Sequence, residues 1–296
     1  MRRLKRVAIV GVGLVGGSFA SALRRAGAVA TVVGVDRNPQ ALERALALGV
    51  IDTAAESVSE AATGADLVVI AVPVRAAAAV LHDVALALDP GAAVTDVGST
   101  KEEVTRAARD ELRGLFPRFV PGHPIAGREA SGVDAATPDL FKGARVVLTP
   151  VAETAPDAID LVRGCWEAAG ARVAQLDAGT HDRIFAAVSH LPHLLSFALV
   201  SEIGARANAS ELFGFAAGGF RDFTRIAASS PEMWRDIALQ NRAALLDELD
   251  RYSARLAVFR ELVERGDGPA LQRLMAEARA SRQALNPGPR RGSSSE

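Results

Sequence analysis

Short apolar runs rich in β-branched residues recur along the first 177 residues, at 7–10, 31–35, 67–72, 93–97, 118–121, 145–149 and 172–176. Alanine-rich stretches with helical character separate them, at 39–48, 75–88, 101–115 and 155–169. Strand and helix in alternation predict an α/β domain built on a doubly wound, mostly parallel sheet. Beyond Asp177 the strand signal stops. Residues 179–208 read as a long, mostly apolar helix, 231–264 as further helical material broken near its middle, and 266–284 as a last helix. The expected organisation is therefore an α/β domain over 1–177, an all-α domain over 178–286, and a Pro/Gly/Ser-rich tail over 287–296 that is expected to be disordered. A short helical domain with apolar faces to bury predicts a second copy of the chain against it, a homodimer. No internal repeat is visible.

The first apolar run leads directly into Gly11-Val12-Gly13-Leu14-Val15-Gly16, and Leu14, Phe19, Ala22 and Leu23 follow at near-helical spacing. The glycines thus stand where a strand turns into a helix. Gly11 permits the tight turn, Gly13 lets backbone approach a pyrophosphate, and Gly16 allows close helix–strand packing, while the helix N-terminus offers N–H groups to phosphates. The second run ends on Asp36, twenty residues past Gly16, where an acid hydrogen-bonds the ribose hydroxyl of NAD. This is a Rossmann pattern. A carboxylate there opposes the extra phosphate of NADP, whereas the adjacent Arg37 is suited to stack on adenine or hold such a phosphate; NAD is the expected cofactor and NADP the second choice. The competing reading is an ordinary turn, with Asp36 capping the helix that starts at Asn38-Pro39. The run ending at Val72-Pro73 opens the second half of such a sheet, and its carboxyl end is expected on the nicotinamide side.

With 296 residues, 49% of them hydrophobic, the chain can bury a sizeable core in two domains. A net charge of −1 provides no overall field to draw it to nucleic acid or a membrane. A single cysteine, Cys165, excludes an internal disulfide and a multi-cysteine metal site. No cleavable signal pattern precedes the first strand and no uninterrupted apolar stretch of about twenty residues is evident, so a cytoplasmic protein without a membrane span is expected.

Three further segments carry chemistry. In Asp96-Val97-Gly98-Ser99-Thr100-Lys101, Ser99 lies between a strand and a helix, as an active-site hydroxyl, as a helix cap forming a capping box with Glu102, or as both. In Gly122-His123-Pro124, the proline enforces an extended His123 at a strand edge, suited to accept an alcohol proton; a structural histidine is the alternative. Ser189-His190-Leu191-Pro192-His193 places two imidazoles three apart, with His181 nearby. A metal needs a third ligand, so donors to a substrate carboxylate fit better, and no metal is expected. Arg225, in Phe220-Arg221-Asp222-Phe223-Thr224-Arg225-Ile226-Ala227, has apolar neighbours and Trp234 beyond, a setting in which guanidinium holds a carboxylate bidentately. Its plainer fate is a surface ion pair with Asp222.

Taken in order, these motifs resemble the prephenate/arogenate (cyclohexadienyl) dehydrogenases of tyrosine biosynthesis over nearly the whole chain. The resemblance implies NAD-dependent oxidative decarboxylation of prephenate to 4-hydroxyphenylpyruvate, or of arogenate to tyrosine. It implies that His123 takes the ring-hydroxyl proton and that Ser99 orients that hydroxyl. Arg225 would bind the ring carboxylate, His193 the side chain with help from His190 and Trp234, and Glu129 and Asp222 would form a charged network at the entrance. The length leaves room neither for a fused mutase ahead of the first strand nor for a ligand-sensing domain after residue 286, so any tyrosine inhibition is expected to be competitive. Two rival readings are a β-hydroxyacid dehydrogenase, which would want a lysine in the helical half where none occurs, and a non-catalytic NAD-sensing module. Prephenate and arogenate are not separated by these residues.

Overall fold

The computed structural model describes residues 3–127 and 130–285. Six strands form a parallel sheet: β1 (Leu4–Val10), β2 (Val29–Val35), β3 (Thr53–Ala54), β4 (Leu67–Ile70), β5 (Ala93–Asp96) and β6 (Phe119–Val120), in the order β3-β2-β1-β4-β5-β6. The order reverses between β1 and β4, which opens a crevice at the carboxyl ends of those strands. Alternate residues of β1 feed two separate cores. Val7 and Ile9 join Phe19, Phe141 and Trp166 on one face, and Ala8 and Val10 join Leu81, Val84 and Leu112 on the other. Burial on both faces is what makes these strands read as continuous apolar runs.

The last predicted strands do not extend this sheet. A second, three-stranded sheet holds β7 (Gly122–Ile125) antiparallel to β8 (Arg145–Leu148), which pairs in parallel with β9 (Arg172–Gln175). Pro121 separates β6 from β7; it has no N–H for the ladder, though its carbonyl accepts from Thr149 N at 2.9 Å. The chain changes sheets there. β3 was not anticipated because both of its residues are exposed and carry no apolar signal.

The expected long helix is one run, Ala178–Phe185, a single π-turn Ala186–His190, and Leu191–Gly204. Contrary to expectation, Ala178–Gly204 is long and apolar enough, by length and composition, to cross a membrane, with mean hydropathy 1.6. Histidines, serines and Asp182 interrupt its apolar run without lowering the average. His181, Asp182 and His190 of this run are buried and hydrogen-bonded to other parts of the domain. Short helices Ala209–Gly214 and Gly218–Thr224 precede Pro231–Gln240. The predicted break falls at Asn241, before Arg242–Arg265.

The chain divides into two compact units between Leu245 and Leu246. Just past Asp177, helix Ala178–Phe185 is hydrogen-bonded into the α/β layer through Asp182. The second unit comprises the remainder of Arg242–Arg265 and the helix Gly268–Leu285. Leu246, Leu256, Val263 and Met275 are exposed in it. The tail 287–296 lies outside the described residues.

Candidate active site

At the switch point, Gly11 has φ 95°, and a Cβ on it would lie 2.3 Å from the carbonyl oxygen of Ala71, just past β4. A Cβ on Gly16 would lie 2.1 Å from the Gly11 carbonyl oxygen. Neither position has space for a side chain, so helix Leu14–Arg25 sits tight on the turn. Gly13, in contrast, faces open space with nothing within 4 Å of where a Cβ would be. Val12 is buried, and Leu14 and Val15 are half-buried in the first turn of the helix. The Asp36 carboxylate accepts from Val12 N at 3.0 Å and Asn38 N at 2.9 Å, tying the glycine turn to the end of β2. The cap of the following helix is Asn38, whose side chain accepts from Gln40 N, so Asp36 is not that cap. Arg37 and Pro73 are exposed, and Val72 lies beside Gly11.

The Asp96–Lys101 and Gly122–Pro124 motifs are one structure. The Lys101 ammonium, fully buried, pairs with Asp96 and donates to the Gly122 carbonyl at 2.7 Å, while Asp96 Oδ1 accepts from Gly122 N at 3.0 Å. Both backbone groups next to His123 are thereby pinned. The Nδ1 of His123 lies 2.9 Å from His181 Nε2, and His181 Nδ1 lies 2.7 Å from Asp182 Oδ1. Phe185 packs edge-on against the His123 ring at 4.8 Å between centroids. Burial pushes the His123 pKa well below the ordinary imidazole value, and the neighbouring His181, Lys101 and His190 push the same way. His123 is therefore neutral, with a lone pair to offer.

Ser99 is half-buried in the turn leading to helix Glu102–Leu112, but it is not the cap expected of it. Asp182 takes that place: its two carboxylate oxygens accept from Lys101 N at 2.8 Å and Glu102 N at 3.0 Å. A residue 80 positions away outcompetes the local capping box, which frees the Ser99 hydroxyl from that duty. The neighbouring Thr100 hydroxyl reaches Gln240 at 2.7 Å, which fastens this turn to helix Pro231–Gln240.

On the helical side, His193 stacks on Trp234 with centroids 3.5 Å apart, and His190 meets the same indole edge-on at 6.1 Å. The π-turn just ahead brings both imidazoles to one tryptophan. Their hydrogen bonds make them opposites. Asn241 donates through Nδ2 to the Asp182 carbonyl (2.7 Å) and to His190 Nδ1 (3.0 Å), so the His190 proton resides on Nε2, a buried donor without a partner among the described residues. His193 instead donates Nδ1–H to the Ser189 carbonyl at 2.9 Å, so its neutral ring presents Nε2 as an acceptor, not the donor expected. Burial lowers the pKa of both, that of His190 to about 4.

Arg225 lies close enough to His193 for its charge to disfavour protonation there. It opens the turn Arg225–Ala228, which packs on helix Leu191–Gly204, and Ser196 donates to the Phe223 carbonyl at 3.3 Å across that contact. Arg225 and Asp222 are both exposed. His190 lies within electrostatic reach of His123, His193 of His190, and Arg225 of His193. A cavity of about 180 Å³ also adjoins His190 and Trp234, lined by Leu194, Phe197 and Pro231, but it includes neither His123 nor Ser99 nor Arg225. Glu129 lies outside the described residues. No cluster of three metal-ligating side chains occurs among the described residues. Asp182 and Asn241 escaped the sequence reading. The dipeptide His181-Asp182, a titratable pair inside an apolar helix, was the available signal for the first, and the helix break was the signal for the second.

Comparison with known proteins shows the family. Residues 19–175 match the family described as prephenate dehydrogenase, nucleotide-binding domain, and residues 177–277 match prephenate dehydrogenase, dimerization domain. The chain is 37% identical to a cyclohexadienyl dehydrogenase of Zymomonas mobilis, covering 96% of this chain and 97% of that protein. The crystal structure of prephenate dehydrogenase from Aquifex aeolicus in complex with hydroxyphenyl propionate and NAD+ superposes with a TM-score of 0.89 at 37% identity, over 95% of this chain and 98% of the other. Synechocystis arogenate dehydrogenase superposes with a TM-score of 0.80 at 31% identity, over 95% of this chain and all of the other (100%).

Proposed function

The chain belongs to the prephenate dehydrogenase family, and on that premise we propose that it catalyses the NAD-dependent oxidative decarboxylation of prephenate to 4-hydroxyphenylpyruvate in tyrosine biosynthesis. The residues present fit the dinucleotide: the packed turn at Gly11 and Gly16, the open face at Gly13 and the carboxylate of Asp36 are what a pyrophosphate and a ribose require. Val12, Leu14, Val15, Arg37, Val72 and Pro73 complete the cofactor site on this reading. The chemistry the dinucleotide supplies when bound is acceptance of a hydride from the ring carbon that bears the hydroxyl.

His123 takes the hydroxyl proton as that carbon is oxidised. The bond to the ring carboxylate breaks, its electron pair enters the ring, carbon dioxide leaves, and the proton returns to give the phenol. Aromatisation drives the step, so the protein chiefly positions the reactants and supplies the base. Ser99 orients the hydroxyl. Arg225 holds the ring carboxylate. His190, His193 and Trp234 receive the side chain, and Asp222 and Glu129 lie towards the entrance. The single observation that carries this reading is the neutral His123, held at its strand edge by the Lys101–Asp96 pair and hydrogen-bonded to His181.

One feature favours arogenate as a second substrate: the Nε2 of neutral His193 is an acceptor, matched to an ammonium group and not to a keto oxygen. Purified chain incubated with prephenate or arogenate, each with NAD or NADP, tests the proposal through the absorbance of reduced nicotinamide. Turnover with NAD on either substrate is the expected result, and no turnover on both removes it.

On the same reading residues 1–177 bind the dinucleotide, and 178–286 supply the substrate groups and the contact of a cytoplasmic homodimer. The matched dimerization domain and the exposed Leu246, Leu256, Val263 and Met275 support the dimer. Light scattering at micromolar concentration is expected to give twice the chain mass; a monomer contradicts it.

A further inference from the structure

The Proposed function uses His123 as a base but leaves open which ring nitrogen acts. We propose that His181 and Asp182 are positioning residues that fix the tautomer of His123, holding its proton on Nδ1 and leaving Nε2 as the nitrogen that takes the substrate proton. The order of the hydrogen bonds sets the tautomer. Both oxygens of Asp182 accept from backbone N–H groups, of Lys101 and Glu102, so this carboxylate is an acceptor towards His181 as well. At the 2.7 Å contact, His181 Nδ1 is therefore the donor. A neutral imidazole has one proton, so His181 Nε2 carries a lone pair. Its partner at 2.9 Å, His123 Nδ1, must then donate. The one proton of neutral His123 is thus committed to Nδ1, and Nε2 faces the substrate side as an acceptor.

Neutrality of His181 is essential, since a protonated ring would reverse the last bond. Burial of His181 is the main influence that keeps it neutral, the Lys101 ammonium adds to it, and together they outweigh the pull of Asp182 and Asp96. The charged and titratable groups that weigh on His123 are His181, Lys101 and His190, and His181 Nε2 is the hydrogen-bond partner of its Nδ1. Phe185 rests against both the His123 and the His181 rings and keeps them in register. The arrangement works against the habit of imidazole in water, where the Nε2–H form predominates. Without His181, the base nitrogen would be blocked by its own proton. An orienting carboxylate–imidazole pair behind a catalytic histidine is a recurrent chemical solution; here a second imidazole is interposed between carboxylate and base.

The test combines a spectroscopic and a kinetic readout on the intact chain. Five histidines are present, and the His123 ring nitrogens are assigned in ¹⁵N spectra by their loss in His123→Asn. The wild-type protein is expected to show Nδ1 protonated and Nε2 bare. His181→Leu, which removes the acceptor, is expected to move the proton to Nε2 and to lower kcat by about 10–100-fold, the usual scale for losing a partner that orients an imidazole, with KM little changed. His181→Gln, whose amide oxygen still accepts from Nδ1–H, is expected to retain the wild-type tautomer and recover most of kcat. Because removing His181 also removes one group that disfavours charge on His123, the acid limb of the pH–rate profile is expected to move upward in His181→Leu. A wild-type His123 protonated on Nε2 overturns the proposal, as does a His181→Leu enzyme with unchanged kcat and pH profile, or a His181→Gln enzyme no better than His181→Leu. The spectra need no substrate, so a chain that turns over neither prephenate nor arogenate leaves the tautomer readable and defeats only the assigned reaction.

Discussion

At the scale of single residues, the proposed function requires His123 to stay uncharged. Read in isolation, an imidazole titrates near 6.5, and turnover would rise with pH around that value. Burial, His181, Lys101 and His190 all lower it, so the lone pair persists into more acidic solution and the acid limb of the rate profile lies well below 6.5. His123→Asn is expected to lower kcat by about 10²–10⁴, the usual contribution of a general base, and to abolish that limb. A variant within threefold of wild type removes His123 from the role. Lys101 shows a residue whose part was only half legible. Its motif marked it, but only the fold reveals a fully buried ammonium that joins Asp96 to the carbonyl of Gly122, next to the base. Lys101→Met leaves Asp96 buried without its cation, a change that typically costs about 3–5 kcal/mol. Chemical denaturation measures it, and a loss under about 1 kcal/mol contradicts the importance given to the pair.

At the scale of elements, what was legible followed from periodicity. Five of the six parallel strands announced themselves as apolar runs because each is buried on both faces, and the glycine turn announced its partner helix. What escaped was set by contacts distant in sequence. The edge strand Thr53–Ala54 has no apolar residues facing a core, and the second sheet arises from a change of sheet at Pro121 that no local pattern marks. The cap of helix Glu102–Leu112 was misassigned to Ser99 because Asp182 arrives from another element. The site residues in motifs were readable as candidates, whereas their donor and acceptor polarity depends on Ser189, Asn241 and Asp182 and was not. The strand–turn–helix unit makes its own prediction. Gly16→Ala sets a methyl 2.1 Å from the Gly11 carbonyl, so the helix must shift off the turn. A loss of about 1–3 kcal/mol of stability, as for overpacking, together with weaker NAD binding by calorimetric titration, is expected. Unchanged stability and affinity contradict the tight seat.

At the scale of the whole molecule, four of the five histidines belong to one neutral cluster: His181 and His190, which are buried, and His123 and His193, which are half-buried. Their folded-state pKa values lie below the unfolded value of 6.5, so above 6.5 the cluster imposes no penalty. As pH falls below 6.5 the unfolded chain takes up protons that the folded chain refuses, and stability declines until the folded groups titrate. His190, at about 4, alone accounts for a loss of about 3 kcal/mol across that window. Denaturation midpoints measured from pH 7 to 4 are expected to fall, and a flat profile contradicts the neutral cluster. On the proposed function, this cluster links the base on a sheet edge to the arginine on a helical turn more than 100 residues later. That convergence is the central claim, and steady-state kinetics of Arg225→Ala tests it most directly. Loss of one charged hydrogen-bonding partner of about 1.5–3 kcal/mol predicts a KM for prephenate or arogenate raised roughly 10–150-fold with NAD affinity unchanged; a KM equal to that of the wild type would place the guanidinium outside the site that His123 serves.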